Sequence, residues 1–415
     1  MRRLIYIFII GLLLCSYTWA DGSRYASKSL LSEGKWVKIR VDKTGIYKLS
    51  YADLKNMGFS DPSKVSVHGY GGWPLDEDFS KEYIDDVPST PVWRGSDYLL
   101  FYGKGPVKWE YDSSSQTFVH TNNPYSLYGY YFVTDATPTN DMTSVAQASG
   151  ATNRITTYDD YLVHEQELVS VNQSGREFFG EDFSGARPRT ISTFSSIPGI
   201  TDADGKVTMR FISRINSGSG TASLSINDSE LLDITIPSIQ TVSSNVRSYT
   251  KAIPGTTTAL WKGSKSEKNN VVVSYSSSGH TNVRLDYIRM QFVRTLRPYG
   301  ASTFFRSLTS VGNASRFVIS EANSNTLVFD VTDALNVKRV EADLNGSELS
   351  FTIPAGRLRE FVLVQTNQTF PSPEVVGEVA SSNLHGLEQR DMIIISAPSL
   401  VQQAERLAVA HREKN

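Results

Sequence analysis

Short segments of alternating apolar and polar residues recur along most of this chain, and they constrain its fold more than any other feature. The first, 35–41, is followed by a turn sequence at 42–45 and a second segment at 46–49, which predicts a β-hairpin. Later segments of similar length are separated by Gly, Asn, Asp and Ser. This spacing predicts a mainly β chain of antiparallel β-sandwich or jelly-roll modules. The further expected strands are 65–68, 97–102, 128–134, 206–215, 221–226, 231–236, 271–275, 282–293, 316–319, 326–331, 337–344, 349–353 and 360–364.

Two segments depart from this alternation and predict helices. Ser50 and Asp53 have the spacing of a capping box, with Leu54 and Met57 on one face and Gly58 at the end. The second segment has a stripe with helical spacing, formed by Tyr158, Tyr161, Leu162, Glu165, Leu168 and Val169.

The C-terminal segment has another pattern. Residues 391–396 form a continuous apolar run, which is typical of a strand buried on both faces in a parallel sheet. A helix should follow, with Ser396 or Ser399 as its N-cap. One strand and one helix cannot cover a sheet, so we expect the first part of an α/β domain, truncated at Asn415. The apolar face of this helix contains Leu400, Ala404, Leu407, Ala408 and His411.

The amino terminus predicts export. Arg2 and Arg3 precede an apolar run at 4–14, and small residues lead to a cleavage site after Ala20, as in a secretory signal peptide. The alternative is a lipid attached to Cys15, which requires a small preceding residue, whereas position 14 is leucine. No later apolar run is long enough for a membrane helix. The predicted division is therefore a signal peptide at 1–20, a β-rich domain at 21–150, a β-sandwich or jelly-roll domain at 151–298, a small β-sandwich domain at 299–370, a linker at 371–390 and the truncated α/β domain at 391–415.

Charge and cysteine content exclude several classes of function. The net charge is −2, which argues against a nucleic-acid partner held by bulk positive charge. Cys15 is the one cysteine in the sequence, and it lies in the predicted signal peptide. A mature chain would therefore have no disulfide, no cysteine-ligated metal and no thiol nucleophile.

Candidate catalytic and metal-binding residues are sparse. The six histidines do not form a zinc-binding motif, and each is interpreted as a surface or structural residue. A Ser-His-Asp triad assembled by the fold stays open, but no GxSxG sequence nominates its serine. We predict no catalytic, cofactor-binding or metal-binding residue and no cofactor. The histidines are His68, His120, His164, His280, His385 and His411.

Two acidic segments and several aromatic residues have alternative interpretations. Residues 202–205 begin like a calcium-binding loop but lack its remainder, so a turn is the preferred interpretation. The acidic residues at 76–78 and 85–86 could bind calcium, although a solvated loop is preferred. Five aromatic residues could stack on sugars or contact a partner, or they could pack within sheets. These are Trp73, Trp93, Tyr128, Tyr130 and Tyr131.

Several blocks, taken in order along the chain, resemble the type IX secretion sortases of the gingipain-like cysteine peptidase family. In addition, 391–396 and 403–408 look like the first strand and helix of the family's caspase-like peptidase domain. The blocks are 35–39, 42–49, 58–62, 67–72, 93–98, 161–165, 174–177, 285–288, 330–333 and 383–387.

This resemblance implies a cysteine peptidase at the outer surface of a Gram-negative cell that removes the C-terminal signal domain of secreted cargo. It implies three partners: outer-membrane components of the secretion machinery, the cargo domains, and a surface lipopolysaccharide. The family's catalytic His and Cys lie beyond Asn415, so no residue here inherits those roles. We therefore expect the N-terminal, non-catalytic part of such an enzyme. The alternatives are a surface protein that binds carbohydrate or a partner, and a serine or metal hydrolase, which no motif supports.

Overall fold

A computed structural model describes residues 25–78, 80–81, 83–171, 177–185, 187–239, 252–279 and 281–414. The predicted signal peptide, His280 and most of the 174–177 block lie outside these residues. The expected mainly β class with several antiparallel sheets is confirmed. The described chain divides into two compact units. One contains the described residues up to Gly34, Ile84–Val87 and the residues from Ala380 onward; the other contains Lys35–Tyr83 and Pro88–Val379.

The first group of strands forms a five-stranded and a three-stranded sheet around one core, and a separate two-stranded hairpin. The predicted strands at 35–41 and 46–49 both exist, but the predicted hairpin between them is wrong. The first strand pairs with two strands that are distant in sequence, and the second strand pairs within the other sheet. The apolar faces of the two sheets pack against each other in one core, so the two strands lie on opposite sides of it. The elements are β1 (Trp36–Val41), β2 (Gly45–Ser50), α1 (Tyr51–Asn56), β3 (Ser66–Gly71), β4 (Ser89–Thr90), β5 (Val92–Arg94), β6 (Tyr98–Gly103), β7 (Val107–Asp112), β8 (Thr117–Asn122) and β9 (Gly129–Thr134).

Helix α1 confirms the predicted capping box. The Ser50 hydroxyl accepts the Asp53 N–H at 3.0 Å, and the Asp53 carboxylate accepts the Ser50 N–H at 3.3 Å. Leu54 is buried, and Gly58 follows the helix with a φ of 90°. A left-handed residue ends a helix at low cost only when it is glycine.

The second group of strands forms a sandwich of two four-stranded sheets. The predicted helical stripe at 158–169 is wrong, because residues 157–165 form a strand that pairs in register from Thr157↔Thr295 to Glu165↔Tyr287. This long ladder outweighs a weak local helical period. Two short strands, β10 (Ser144–Val145) and β11 (Asn153–Ile155), precede the sandwich and pair with strands of the third group. The eight strands of the sandwich are β12 (Thr157–Glu165), β13 (Arg189–Thr190), β14 (Gly205–Ile215), β15 (Ser219–Ile226), β16 (Ser229–Pro237), β17 (Ile253–Trp261), β18 (Val271–Ser277) and β19 (Thr281–Thr295). The sheet orders are β12-β19-β14-β17 and β13-β18-β15-β16.

The third group is a smaller sandwich with a phenylalanine core. Phe305, Phe317, Phe351 and Phe361 contact one another at ring distances of 5.1 to 6.3 Å. The predicted strand at 337–344 is two short strands. The strands are β20 (Ser302–Phe305), β21 (Ser315–Ile319), β22 (Thr326–Asp330), β23 (Lys338–Val340), β24 (Asp343–Asn345), β25 (Glu348–Ile353), β26 (Phe361–Gln365) and β27 (Glu374–Val379), of which β27 pairs with β1.

The C-terminal segment contains the predicted helix, α2 (Val401–Arg412), but not the predicted strand. Residues 391–396 are not in a strand, and Ile393 and Ile395 are 79% and 95% exposed. A strand needs a hydrogen-bonding neighbour, and the described residues of the smaller unit contain no other strand. The helix starts after the turn Pro398–Leu400, so neither predicted serine is its N-cap. Within the described residues, no helix is long and apolar enough to cross a membrane.

Candidate functional site

The described histidines of the larger unit are held by hydrogen bonds. His68 Nε2 lies 2.8 Å from Thr137 Oγ1, and its ring meets Trp36 edge to face. His120 Nε2 lies 2.8 Å from a Glu165 oxygen. His164 bridges Glu181 at 2.6 Å and Thr193 at 2.8 Å. In the part of the chain that the structure describes, no cluster of His, Cys, Asp or Glu suits a metal ion.

The smaller unit contains a Ser-His-Asp hydrogen-bonded chain. His385 Nδ1 lies 2.9 Å from Ser29 Oγ, and its Nε2 lies 2.7 Å from Asp85 Oδ1. The order of groups is that of a catalytic triad, but Ser29 is only 8% exposed and its hydroxyl also accepts the His385 N–H. A nucleophile must be reachable by its substrate. We therefore interpret these hydrogen bonds as structural, because they connect three segments of the smaller unit. His411 is exposed on α2.

The predicted acidic loops have ordinary partners. Asp76 pairs with Lys81 at 2.6 Å, and this hydrogen bond lowers the pKa of Asp76. Asp202 accepts the Lys265 N–H at 2.8 Å at a turn that precedes β14. Asp86 accepts the Leu30 N–H at 2.7 Å. The described carboxylates of these loops thus stabilise local structure.

The predicted aromatic residues separate into different environments. Tyr131 is a core residue at 1% exposure, and Trp93 packs with Tyr98 at 5.9 Å. Tyr128 and Tyr130 lie on the surface of the sheet under the cationic groups of β1. Of the five residues, Trp73 alone lines a cleft that could hold a ligand.

This cleft, which we call the aromatic cleft, lies where the three groups of strands of the larger unit meet. It has a volume of about 760 Å³, within the usual range for ligand sites. Only Trp73 of its aromatic residues was a predicted candidate. Alternation at 107–112 followed by a serine-rich turn could have revealed β7 and β8, which supply much of one wall. The main lining residues are Trp73, Trp109, Tyr111, Tyr161, Arg306 and Arg359.

The base of the cleft is a buried charge network centred on Arg306. Its guanidinium donates twice to Glu360 and once to the backbone oxygen of Asp159. Burial lowers the pKa of Arg306, but the nearby carboxylates, chiefly Glu360, raise it by more, so that it lies above its usual value. The guanidinium also lies 4.3 Å from the Tyr161 ring centre. Arg306 therefore stays charged and fixes the base of the cleft.

One wall of the cleft is the β7–β8 hairpin (Val107–Asn122), which packs on the sheet containing β12 and β19. Gln291 binds both backbone groups of Phe118, accepting its N–H at 2.9 Å and donating to its oxygen at 3.2 Å. Trp109 stacks on Tyr161 at 4.0 Å with an interplanar angle of 18°. These contacts hold the hairpin in a fixed position beside the cleft.

The fold that builds this cleft is similar to that of a solved protein. No protein-family model and no curated protein matches the sequence. A crystal structure of dimeric latent PorU from Porphyromonas gingivalis matches with a TM-score of 0.84 and 34% identity, and the match covers 94% of this chain. The chain is PorU-like. It spans 37% of the length of that PorU chain.

Two more distant structures also match. An insecticidal delta-endotoxin from Bacillus thuringiensis has 10% identity and a TM-score of 0.22, covering 55% of this chain and 41% of its own. A Paenibacillus cycloisomaltooligosaccharide glucanotransferase has 8% identity and a TM-score of 0.17, covering 53% and 48%. Two of the blocks that resemble the family, 161–165 and 285–288, overlap in the ladder between β12 and β19, where His164 faces Ile288 and Glu165 faces Tyr287.

Proposed function

We propose that this chain is the N-terminal, non-catalytic region of a PorU-like cysteine peptidase and sortase, which removes the C-terminal signal of type IX secreted cargo. The observation that carries the proposal is the PorU likeness, with 34% identity across 94% of this chain. Because the chain spans 37% of that PorU, the activity of the whole protein is proposed here and not assigned to these residues.

The residues support a division of labour. A cysteine peptidase attacks with a thiolate and moves protons through a histidine. The one cysteine of this sequence is Cys15, within the predicted signal peptide. Catalysis would therefore use residues outside this sequence, while the β-modules bind and position partners.

We propose that the partners are the C-terminal domains of secreted cargo and outer-membrane components of the secretion machinery, with surface lipopolysaccharide as the acceptor of the cargo. The proposed location is the outer surface of a Gram-negative cell, reached through the signal peptide. The aromatic cleft supports a binding role, because it combines apolar rings with fixed charges at a junction between groups of strands.

The purified chain tests this proposal. It should bind the C-terminal domain of a secreted cargo protein and leave the same cargo without that domain unbound. It should not cleave a peptide that spans the cargo cleavage site. Turnover of that peptide, or equal binding of cargo with and without its C-terminal domain, would contradict the proposal.

A further inference from the structure

Strand β7 has a free edge. Among the described strands it pairs only with β8, in register from Val107↔Asn122 to Asp112↔Thr117. The Asn123 N–H donates to the Pro106 oxygen at 3.0 Å, so the pair at 106 and 123 is hydrogen-bonded. Hydrogen-bonded and non-bonded pairs alternate in an antiparallel ladder. The backbone N–H and C=O of Val107, Trp109 and Tyr111 therefore point away from β8.

This free edge lies along the aromatic cleft. The consecutive residues from Pro106 to Tyr111 line it on one side, and Phe304, Val331 and Arg359 line it elsewhere. A strand edge beside an open cavity offers unpaired donors and acceptors to a second chain. Strand β12 also lines the cleft, but its backbone donors there already have acceptors. The Tyr161 N–H donates to the Asp160 carboxylate at 2.9 Å, and the Asp159 N–H donates to the backbone oxygen of Arg306 at 3.0 Å.

The aromatic rings favour a peptide over a sugar. A sugar stacks on a ring face that is free. Here Tyr161 is contacted by Trp109 at 4.0 Å and by Arg306 at 4.3 Å. The Trp73 ring lies under the Lys104 ammonium at 4.7 Å. These contacts leave the rings as apolar walls, while the backbone of β7 supplies the unused hydrogen-bonding groups.

We infer that the β7 edge binds an extended polypeptide segment as an added strand. The exposed edge from Val107 to Tyr111 accommodates about five residues of the guest at about 3.3 Å per residue. Guest side chains alternate between two environments: the aromatic base around Tyr161, and the side of Lys108 and Glu110, which form an ion pair at 2.7 Å. The guest is thus a strand with apolar and polar residues in alternation. This inference rests on the proposed function for one point, that the strand belongs to the C-terminal domain of cargo.

A pair of variants at Tyr111 isolates the backbone contribution. Tyr111→Ala removes the side chain and keeps the N–H, whereas Tyr111→Pro removes the same side chain and the N–H. Proline is compatible with an edge position whose N–H has no ladder partner. We expect Tyr111→Pro to bind about fivefold more weakly than Tyr111→Ala, the loss of one peptide hydrogen bond. Both variants should melt at the same temperature.

Three probes are used with the full chain: a purified cargo C-terminal domain, a pool of capped hexapeptides that alternate Thr with Val, Phe or Tyr, and maltohexaose. Hydrogen exchange of wild type should show new protection of the Trp109 and Tyr111 amides with the first two probes. This measurement decides the matter if Tyr111→Pro fails to fold. Equal binding by the two folded variants, or bound peptide without protection of these amides, overturns the inference.

The outcomes separate the site from the proposed function. Cargo domain that binds without protecting β7 leaves the proposed function intact and rejects the site. Peptides that bind and protect β7, with no binding of the cargo domain, support the site and reject the proposed function. Maltohexaose that binds and blocks the peptides would replace the inferred guest with a carbohydrate.

Discussion

Arg306 and Glu360 form a bidentate ion pair at the base of the aromatic cleft, with Arg306 Nε 2.5 Å from Glu360 Oε2. Arg306 is 1% exposed. It also bonds the backbone oxygen of Asp159 on β12 at 2.8 Å. Since Arg306 follows β20 and Glu360 precedes β26, the ion pair lies within the third group of strands, and the bond to Asp159 joins that group to the second.

Arg306→Met should destabilise the protein strongly. The variant keeps most of the side-chain volume but leaves the Glu360 carboxylate without its buried cation, whereas Asp160 keeps Arg294 at 2.8 Å. Breaking one partner of such a pair costs about 3–5 kcal/mol. Urea unfolding followed by circular dichroism measures the change. The double variant Arg306→Met/Glu360→Met is the control and should recover part of the loss; a single variant that unfolds like wild type would show that the pair contributes nothing.

Gln291→Leu should loosen the β7–β8 hairpin. Gln291 satisfies both the N–H and the oxygen of Phe118, and its side chain is buried. Leucine of similar size would leave the buried Phe118 N–H unpaired and its oxygen with only the bond from Arg289 at 3.4 Å, at a cost of about 1–3 kcal/mol. Hydrogen exchange should accelerate in β8 before it does in β21. Gln403→Leu, at an exposed position on α2, is the matched control and should change stability by less than about 0.5 kcal/mol. Equal effects of the two substitutions would contradict the contact.

Lys104 should make stability rise with pH. It is 3% exposed, and burial lowers its pKa to about 7, with a smaller contribution from Lys108. An unfolded lysine titrates near 10.4, so between these values the unfolded chain binds the proton and the folded chain does not. Stability therefore increases with pH across this window.

The Lys104→Met variant removes the titrating amine and keeps most of the apolar part of the side chain. Between pH 7.5 and 9.5, wild type should gain about 2 kcal/mol of unfolding free energy relative to the variant. Urea titrations at the two pH values measure the difference. Lys43→Met, at an exposed position, is the control and should follow wild type. A difference between wild type and Lys104→Met that stays constant with pH would show that Lys104 keeps its proton, held by the rings of Tyr70 and Trp73.

Local patterns predicted the strands of this fold better than their partners. Alternation at 35–41 and 46–49 places both strands, but pairing depends on which apolar faces meet in three dimensions, and these two strands enter different sheets. The capping box at Ser50 is entirely local, and it is confirmed. Residues 157–165 show the opposite case, because a nine-residue ladder with β19 decides their conformation.

The aromatic cleft lay beyond sequence reasoning for the same reason. Trp73, Trp109, Tyr161 and Arg306 are far apart in the chain, and no one of them alone indicates a binding site. The order of short blocks was enough to predict the PorU likeness, because recognising a sequence block requires no knowledge of contacts. The structural role of each block could not be predicted, because 161–165 contributes Tyr161 to the cleft only through its pairing with β19.

Substitution of Ile395 tests whether the 391–396 run is buried. The run was expected to form a strand covered on both faces, whereas Ile395 is 95% exposed. Truncating an exposed side chain removes little packing, so Ile395→Ala should change the unfolding free energy by less than about 0.5 kcal/mol. The matched variant Ile319→Ala, at a fully buried position of β21, should cost about 2–5 kcal/mol. Both are measured by urea unfolding of the full chain. A loss at Ile395 as large as that at Ile319 would mean that the run is covered, as its apolar sequence first indicated.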